Sequence, residues 1–80
     1  MKMTKNEIKN LIMEIAEYKE ADIACSDNLI EMGIIDSLMV MEIIDYIEDK
    51  YQMEFPPESI VPENFESIDK LYEVLNKILP

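Results

Sequence analysis

The segment GIIDSLMVMEII, residues 33 to 44, sets a glycine, two isoleucines and an acid ahead of a run rich in apolar residues. A helix that begins at Ser37 leaves the amides of its first turn without intrahelical acceptors, and the Asp36 carboxylate is placed to take them as an N-cap. The spacing therefore predicts a helix from about Ser37 to Lys50. At about 100° per residue, Val40, Ile43, Ile44, Ile47 and Tyr51 fall on one side and form the expected core stripe. Leu38 and Met41 fall on the other side, with Glu42, Asp45, Glu48 and Asp49 around them. The expected outer face is an apolar pair set among carboxylates. Gly33, at the end of the preceding loop, is able to take a positive φ.

Working outward, Thr4 followed by Glu7 has the spacing of a capping box, and Met3 with Ile8 that of a hydrophobic staple. Ile8, Leu11, Ile12 and Ile15 continue as one apolar stripe that fades near Tyr18 and Lys19. From Glu20 to Ile35 the periodicity breaks into a long first loop, with Asp27 and Asn28 as turn formers. Its Leu29, Ile30, Met32, Ile34 and Ile35 are too apolar for a free linker, so several should pack on the helices, and Met13 and Met32 read as core fillers. On the other side, residues 54 to 66 (EFPPESIVPENFE) hold three of the four prolines and cannot form one regular helix. A short helix around Pro62 to Phe65 fits there. Ser67 then caps a last helix whose buried stripe is Ile68, Leu71, Leu75 and Ile78. With no alternating strand pattern, the expected fold is all-α, a small four-helix bundle of three main helices and one short one. It is expected to form one domain over residues 1–80 and to be monomeric.

Composition removes whole classes of function. Histidine is absent, which excludes Ser-His-Asp and Cys-His nucleophile pairs, and a single cysteine leaves no usual zinc site. Cys25 has no partner for an internal disulfide, and no D-x-[DN]-x-[DN]-G calcium loop occurs. No metal or catalytic residue is expected. Seven lysines against 18 acids give a net charge of -11, and between Glu20 and Asp69 there are 14 acids and one base, Lys50. Such a chain repels nucleic acid. No run of apolar residues is long enough for a membrane span, and the expected location is the cytoplasm.

Ser37 thus sits at the head of a helix with no base in the chain to activate it, so another protein must act on its hydroxyl. Leu29, Gly33, Asp36-Ser37-Leu38, Glu42, Ile43, Ile47, Glu48 and Tyr51, with Phe55-Pro56 and Ser67-Ile68 beyond, resemble the acyl carrier protein family in order and spacing over nearly the whole chain. The resemblance implies that Ser37, preceded by Asp36, receives 4'-phosphopantetheine from coenzyme A through a phosphopantetheinyl transferase. It implies a thiol-ended arm that holds acyl or aminoacyl groups as thioesters for partner enzymes, in fatty acid, polyketide, peptide or D-alanyl transfer biosynthesis. It also implies partners, an adenylating ligase or an acyltransferase or synthase, that present basic and apolar patches to Leu38, Met41, Glu42, Asp45, Glu48 and Asp49. The chain itself would then be no enzyme.

Two features separate this sequence from fatty acid synthase carriers. Two residues, Ile34 and Ile35, stand between Gly33 and Asp36 where one is usual, and the proline-rich segment before Ser67 is longer. Both are closer to stand-alone carriers such as the D-alanyl carrier proteins of teichoic acid synthesis, and to carriers served by an adenylating ligase. A different class of function fits charge and helices equally well: an acidic helical adaptor that binds a basic protein without being modified. Only the carrier needs Ser37.

Overall fold

The computed structural model describes residues 3–18 and 23–79. Three α-helices, α1 (Lys5–Ala16), α2 (Ser37–Tyr51) and α3 (Ile68–Ile78), are joined by a long first loop and by a segment holding two single 3-10 turns, Pro57–Ser59 and Pro62–Asn64. α1 packs against both α2 and α3, and the second 3-10 turn packs on α3. The chain occupies about 31 × 22 × 19 Å.

Each helix starts where a side chain can take the orphan amides. At α1 the Glu7 amide donates to Thr4 Oγ1 at 3.1 Å and the Thr4 amide donates to Glu7 Oε1 at 2.9 Å, the expected capping box. Asp36 caps α2 by accepting from the Met39 amide, and Ser67 caps α3 by accepting from the Lys70 amide. Glu17 and Gln52 close α1 and α2 in left-handed conformations without help from glycine.

The first loop is held rather than free. Asn28 Oδ1 accepts from the Ile30 and Glu31 amides, and the amides of Ile34 and Ile35 both donate to the Leu29 carbonyl. Gly33 turns the chain with φ +76°; a Cβ there would meet nothing within 4 Å, so it is the dihedral, and not close packing, that favours glycine. The turn is tied across the molecule by Leu29, whose amide donates to the Glu66 carbonyl at 2.6 Å, and by Asn28, whose amide nitrogen donates to the Glu66 carboxylate. Ile34 and Ile35 are both buried. The additional residue between Gly33 and Asp36 is thereby absorbed as core.

The core joins Ile8, Leu11 and Ile12 of α1, Ile43, Ile44 and Ile47 of α2, and Ile68, Leu71, Val74 and Leu75 of α3, with Leu29, Phe55 and Phe65 from the connections. The rings of Phe55 and Phe65 lie 5.9 Å apart, centroid to centroid.

Several expectations need correction. The short helix expected around Pro62 is a single 3-10 turn, preceded by another at Pro57 that was not expected, and the described residues hold no fourth α-helix. Proline at the first position of each turn fixes φ; the first turn is stopped ahead of Pro62, and the second ends at Phe65, just before Ser67 caps α3. Met32 is not a core filler: it is 52% exposed, on the outside of the turn closed by Gly33. Val40 and Tyr51 on α2, Ile15 on α1 and Ile78 on α3 are half-buried rather than buried, while Val74 and Leu79 join the core unannounced. Lys19, Glu20 and Asp22, which entered the reading of the first helix and of the charge, lie outside the described residues.

Candidate functional site

Ser37 is the first residue of α2 and is exposed. Asp36 Oδ1 accepts from the Met39 amide at 2.9 Å and the Asp36 carbonyl from the Val40 amide at 3.0 Å. The cap satisfies the third and fourth amides of the helix and leaves those of Ser37 and Leu38 without a partner among the described residues. With the positive end of the helix dipole, these two amides suit an anion bonded to the Ser37 hydroxyl.

The other three serines offer less. Ser59 is buried and donates to the Pro56 carbonyl at 2.7 Å, and Ser67 is buried as the cap of α3. Ser26 is exposed but stands in a loop turn, away from any helix start.

A groove of about 490 Å³ opens beside Ser37 and Asp36. Half-buried Ile30 and Val40 and exposed Met41 line it from one side, and Ile60, Val61 and Pro62 of the proline-rich segment from the other. Ile30, Ile60 and Val61 were not singled out as site residues in the sequence. An apolar pair amid prolines and acids was the available signal, but only the folded chain brings it to Ser37.

The outer face of α2 carries the expected strip. Leu38 is 68% exposed, and Met41, Glu42, Asp45 and Asp49 are exposed with it. None of Glu42, Asp45 or Asp49 gains an ion pair or a side-chain hydrogen bond among the described residues. Asp45 stands three residues after Glu42 and four before Asp49, the spacings at which like charges repel on a helix. Lys50 gives no relief, for its ammonium lies 5.9 Å from the Tyr46 ring centroid and 6.0 Å from that of Tyr51. Glu48 differs from the other acids. It is half-buried, and its Oε2 accepts from the Phe55 amide at 2.8 Å, so it anchors the chain leaving α2.

Farther along α2, Asp45, Glu48, Asp49 and Glu54 surround a wider, open hollow of about 610 Å³. It holds no apolar wall comparable to the groove at Ser37, and no cluster of acids, cysteines or histidines that could hold a metal ion occurs among the described residues.

Residues 6–75 match the protein family described as phosphopantetheine attachment site. The chain belongs to this carrier family. Domains of this kind bear a covalent 4'-phosphopantetheine and carry groups for enzymes without catalysing reactions themselves. Two solved structures are similar to the chain. A chain in the crystal structure of Bradyrhizobium japonicum glycine:[carrier protein] ligase complexed with glycylated carrier protein is 26% identical, with 88% of the present carrier and 96% of that chain covered and a TM-score of 0.66. A chain in the crystal structure of an FAD-dependent dehydrogenase is 28% identical, with 86% and 99% covered and a TM-score of 0.72. Comparison with curated protein sequences gives no match. No helix of the carrier, among its described residues, is long and apolar enough to cross a membrane.

Proposed function

We propose that this carrier accepts 4'-phosphopantetheine on Ser37 and presents acyl or aminoacyl groups to partner enzymes that dock on α2. The observation that carries the assignment is the exposed Ser37 hydroxyl beside two unpartnered amides at the head of α2. Ser37 Oγ forms the new P–O bond while the pyrophosphate bond of coenzyme A breaks and adenosine 3',5'-bisphosphate leaves; the serine proton goes to a base of the transferase, since the chain holds no histidine and the neighbouring Asp36 carboxylate is engaged as the helix cap. The amides of Ser37 and Leu38 then face the phosphodiester, and Asp36 holds the first turn so that they stay aimed at it. When bound, the group supplies a terminal thiol that holds cargo as a thioester.

Glu42, Asp45 and Asp49 steer a basic surface toward this end of the molecule, while Leu38 and Met41 add small apolar contacts that fix its orientation. Their mutual repulsion in the free chain is relieved when a basic partner sits between them. An adenylating ligase is the partner class that best fits, because the carrier aligned from the Bradyrhizobium structure is complexed with one and glycylated. An aminoacyl cargo agrees with the likeness of residues 33–37 to D-alanyl carriers.

The test is loading. The chain is converted with coenzyme A, magnesium and a broad-specificity phosphopantetheinyl transferase, then given ATP and a set of amino and fatty acids with adenylating ligases of carrier type. A second mass gain, that of the cargo, is expected on the converted protein and not on Ser37→Ala. A chain that folds, binds basic proteins through α2 and never gains the first mass would be an acidic adaptor instead.

A further inference from the structure

The head of α2 is held from upstream rather than by its own side chains. Ser37, Leu38, Met41 and Glu42 are exposed, Met39 and Val40 are half-buried, and the first buried side chain of the helix is that of Ile43. The turn that carries Ser37 therefore has no buried side chain to fix it. Its cap, Asp36, follows directly on Ile34 and Ile35, which are buried and whose amides donate to the Leu29 carbonyl at 2.9 and 3.1 Å. Leu29 is the fixed point of that link, because it is fully buried and its amide donates to the Glu66 carbonyl.

Half-buried Asn28 acts on both sides of this point. Its Oδ1 accepts from the Ile30 and Glu31 amides at 3.1 and 3.0 Å, which shapes the turn, and its Nδ2 donates to Glu66 Oε2 at 3.2 Å. Glu66 directly precedes Ser67, the cap of α3. One amide side chain thus ties the approach to α2 to the head of α3. Asparagine can do this because it carries an acceptor and a donor together. An aspartate would keep the two accepted bonds but set a second carboxylate against that of Glu66.

We infer that Asn28 is a positioning residue for the transfer of phosphopantetheine: through Leu29, Ile34 and Ile35 it holds Ser37 Oγ and the amides beside it in the orientation the transferase must meet. This rests on Ser37 as the attachment residue. The docking acids Asp45 and Asp49 lie beyond Ile43, where the core anchors the helix, so the clasp governs the placing of the hydroxyl and not the strength of docking.

The test follows conversion of the whole chain with coenzyme A, magnesium and a phosphopantetheinyl transferase, at a temperature where urea titration shows every variant folded. Peptide mapping by mass spectrometry first establishes that Ser37 of the unaltered chain carries the group. Asn28→Asp should lower kcat about tenfold and change KM for the carrier by less than about twofold, since misplacing a reacting atom by about 1 Å can cost about a hundredfold in rate. The added charge works in the opposite direction, by strengthening attraction to a basic transferase. Asn28→Asp combined with Glu66→Gln reverses the direction of the bond and keeps the net charge, and should recover most of the lost kcat. Amide hydrogen exchange should quicken at Met39 and Val40 in Asn28→Asp but not at Ile47, and should slow again in the double variant. Thr4→Ala, which loses a cap on α1, should be converted as fast as the unaltered chain. An unchanged kcat in Asn28→Asp, a loss that the double variant does not recover, or an equal loss in Thr4→Ala would overturn the inference. A mass gain elsewhere in the unaltered chain, or none, would overturn the Ser37 assignment and this inference with it, and the mapping distinguishes that case from the others.

Discussion

Charges at the seam of α1 and α3 are matched, and those on the outer face of α2 are not. At the seam, the Lys5 ammonium lies 2.9 Å from Asp69 Oδ1 and 5.2 Å from the Tyr72 ring centroid, while Glu7 is held by the capping box with Thr4. The hydrogen bond and charge of Asp69 raise the Lys5 pKa above its ordinary 10.5, and the bond from the Thr4 amide lowers that of Glu7 below 4.5. Along α2, Glu42, Asp45 and Asp49 repel one another, and Asp49 stands in the last turn, where the helix dipole disfavours an acid. The contrast separates two uses of charge. At the seam it closes the fold, and on α2 it is kept for a partner at some cost to stability.

Reversing charge on α2 should therefore cost function, and at the seam it should cost stability. The largest effect is expected from Glu42→Lys with Asp45→Lys, which should lower kcat/KM for conversion or loading at least tenfold at low salt with little change in the thermal midpoint. Half-molar salt should shrink that difference, because screening there acts over much less than the roughly 10 Å of 0.1 M salt. Lys5→Ala should leave loading kinetics unchanged. If the two perturbations exchange effects, the division between the regions is wrong.

Glu48 sharpens the comparison because it lies on α2 yet behaves like the seam. Losing its bond to the Phe55 amide should cost Glu48→Ala about 1–2 kcal/mol in urea unfolding, below the upper range for bonds to charged groups since the site is only half-buried. A neutral result would return Glu48 to the partner strip on equal terms with Asp45.

Thr4→Ala should cost about 1 kcal/mol as a lost N-cap. The pH dependence has a definite sign. Glu7 has a lowered pKa, so its share of stability is present above about 4.5 and is lost as pH falls through its lower folded value. Lys5 has a raised pKa, so its share is present below about 10.5 and is lost as pH rises through its higher folded value. The stability gap between the protein and Glu7→Gln should accordingly close in acid, and the gap to Lys5→Ala should close in strong base.

The smallest effect has the opposite direction. Asp49→Asn should stabilise by a few tenths of a kcal/mol by removing a like-charge neighbour from an unfavourable helix end. Urea titration in low salt reads it. A loss of stability would mean that Asp49 has a favourable partner that the geometry does not show.

Much of this was legible in the chain because it depends on neighbours in sequence. The capping box at Thr4, the caps Asp36 and Ser67, and the opposite faces of α2 follow from spacings of three and four residues. The turn conformation of Gly33 also needs only local chemistry. What escaped the sequence depends on distant contacts. Met32 is as apolar as Leu29, but only Leu29 is bonded to the Glu66 carbonyl and drawn inward. Glu48 looked like any other acid until the chain curled back to bring the Phe55 amide to it. Ile60 and Val61 gained meaning only when the proline-rich segment folded beside Ser37.

Ser37 is the proposed attachment point on which carrier function depends, and peptide mapping after incubation with coenzyme A, magnesium and a phosphopantetheinyl transferase tests this most directly. One phosphopantetheine on the peptide containing Ser37, and an unmodified but folded Ser37→Ala chain, is the result expected. Modification at Ser26, Ser59 or Ser67, or an unmodified protein under conditions that convert another carrier completely, would contradict it.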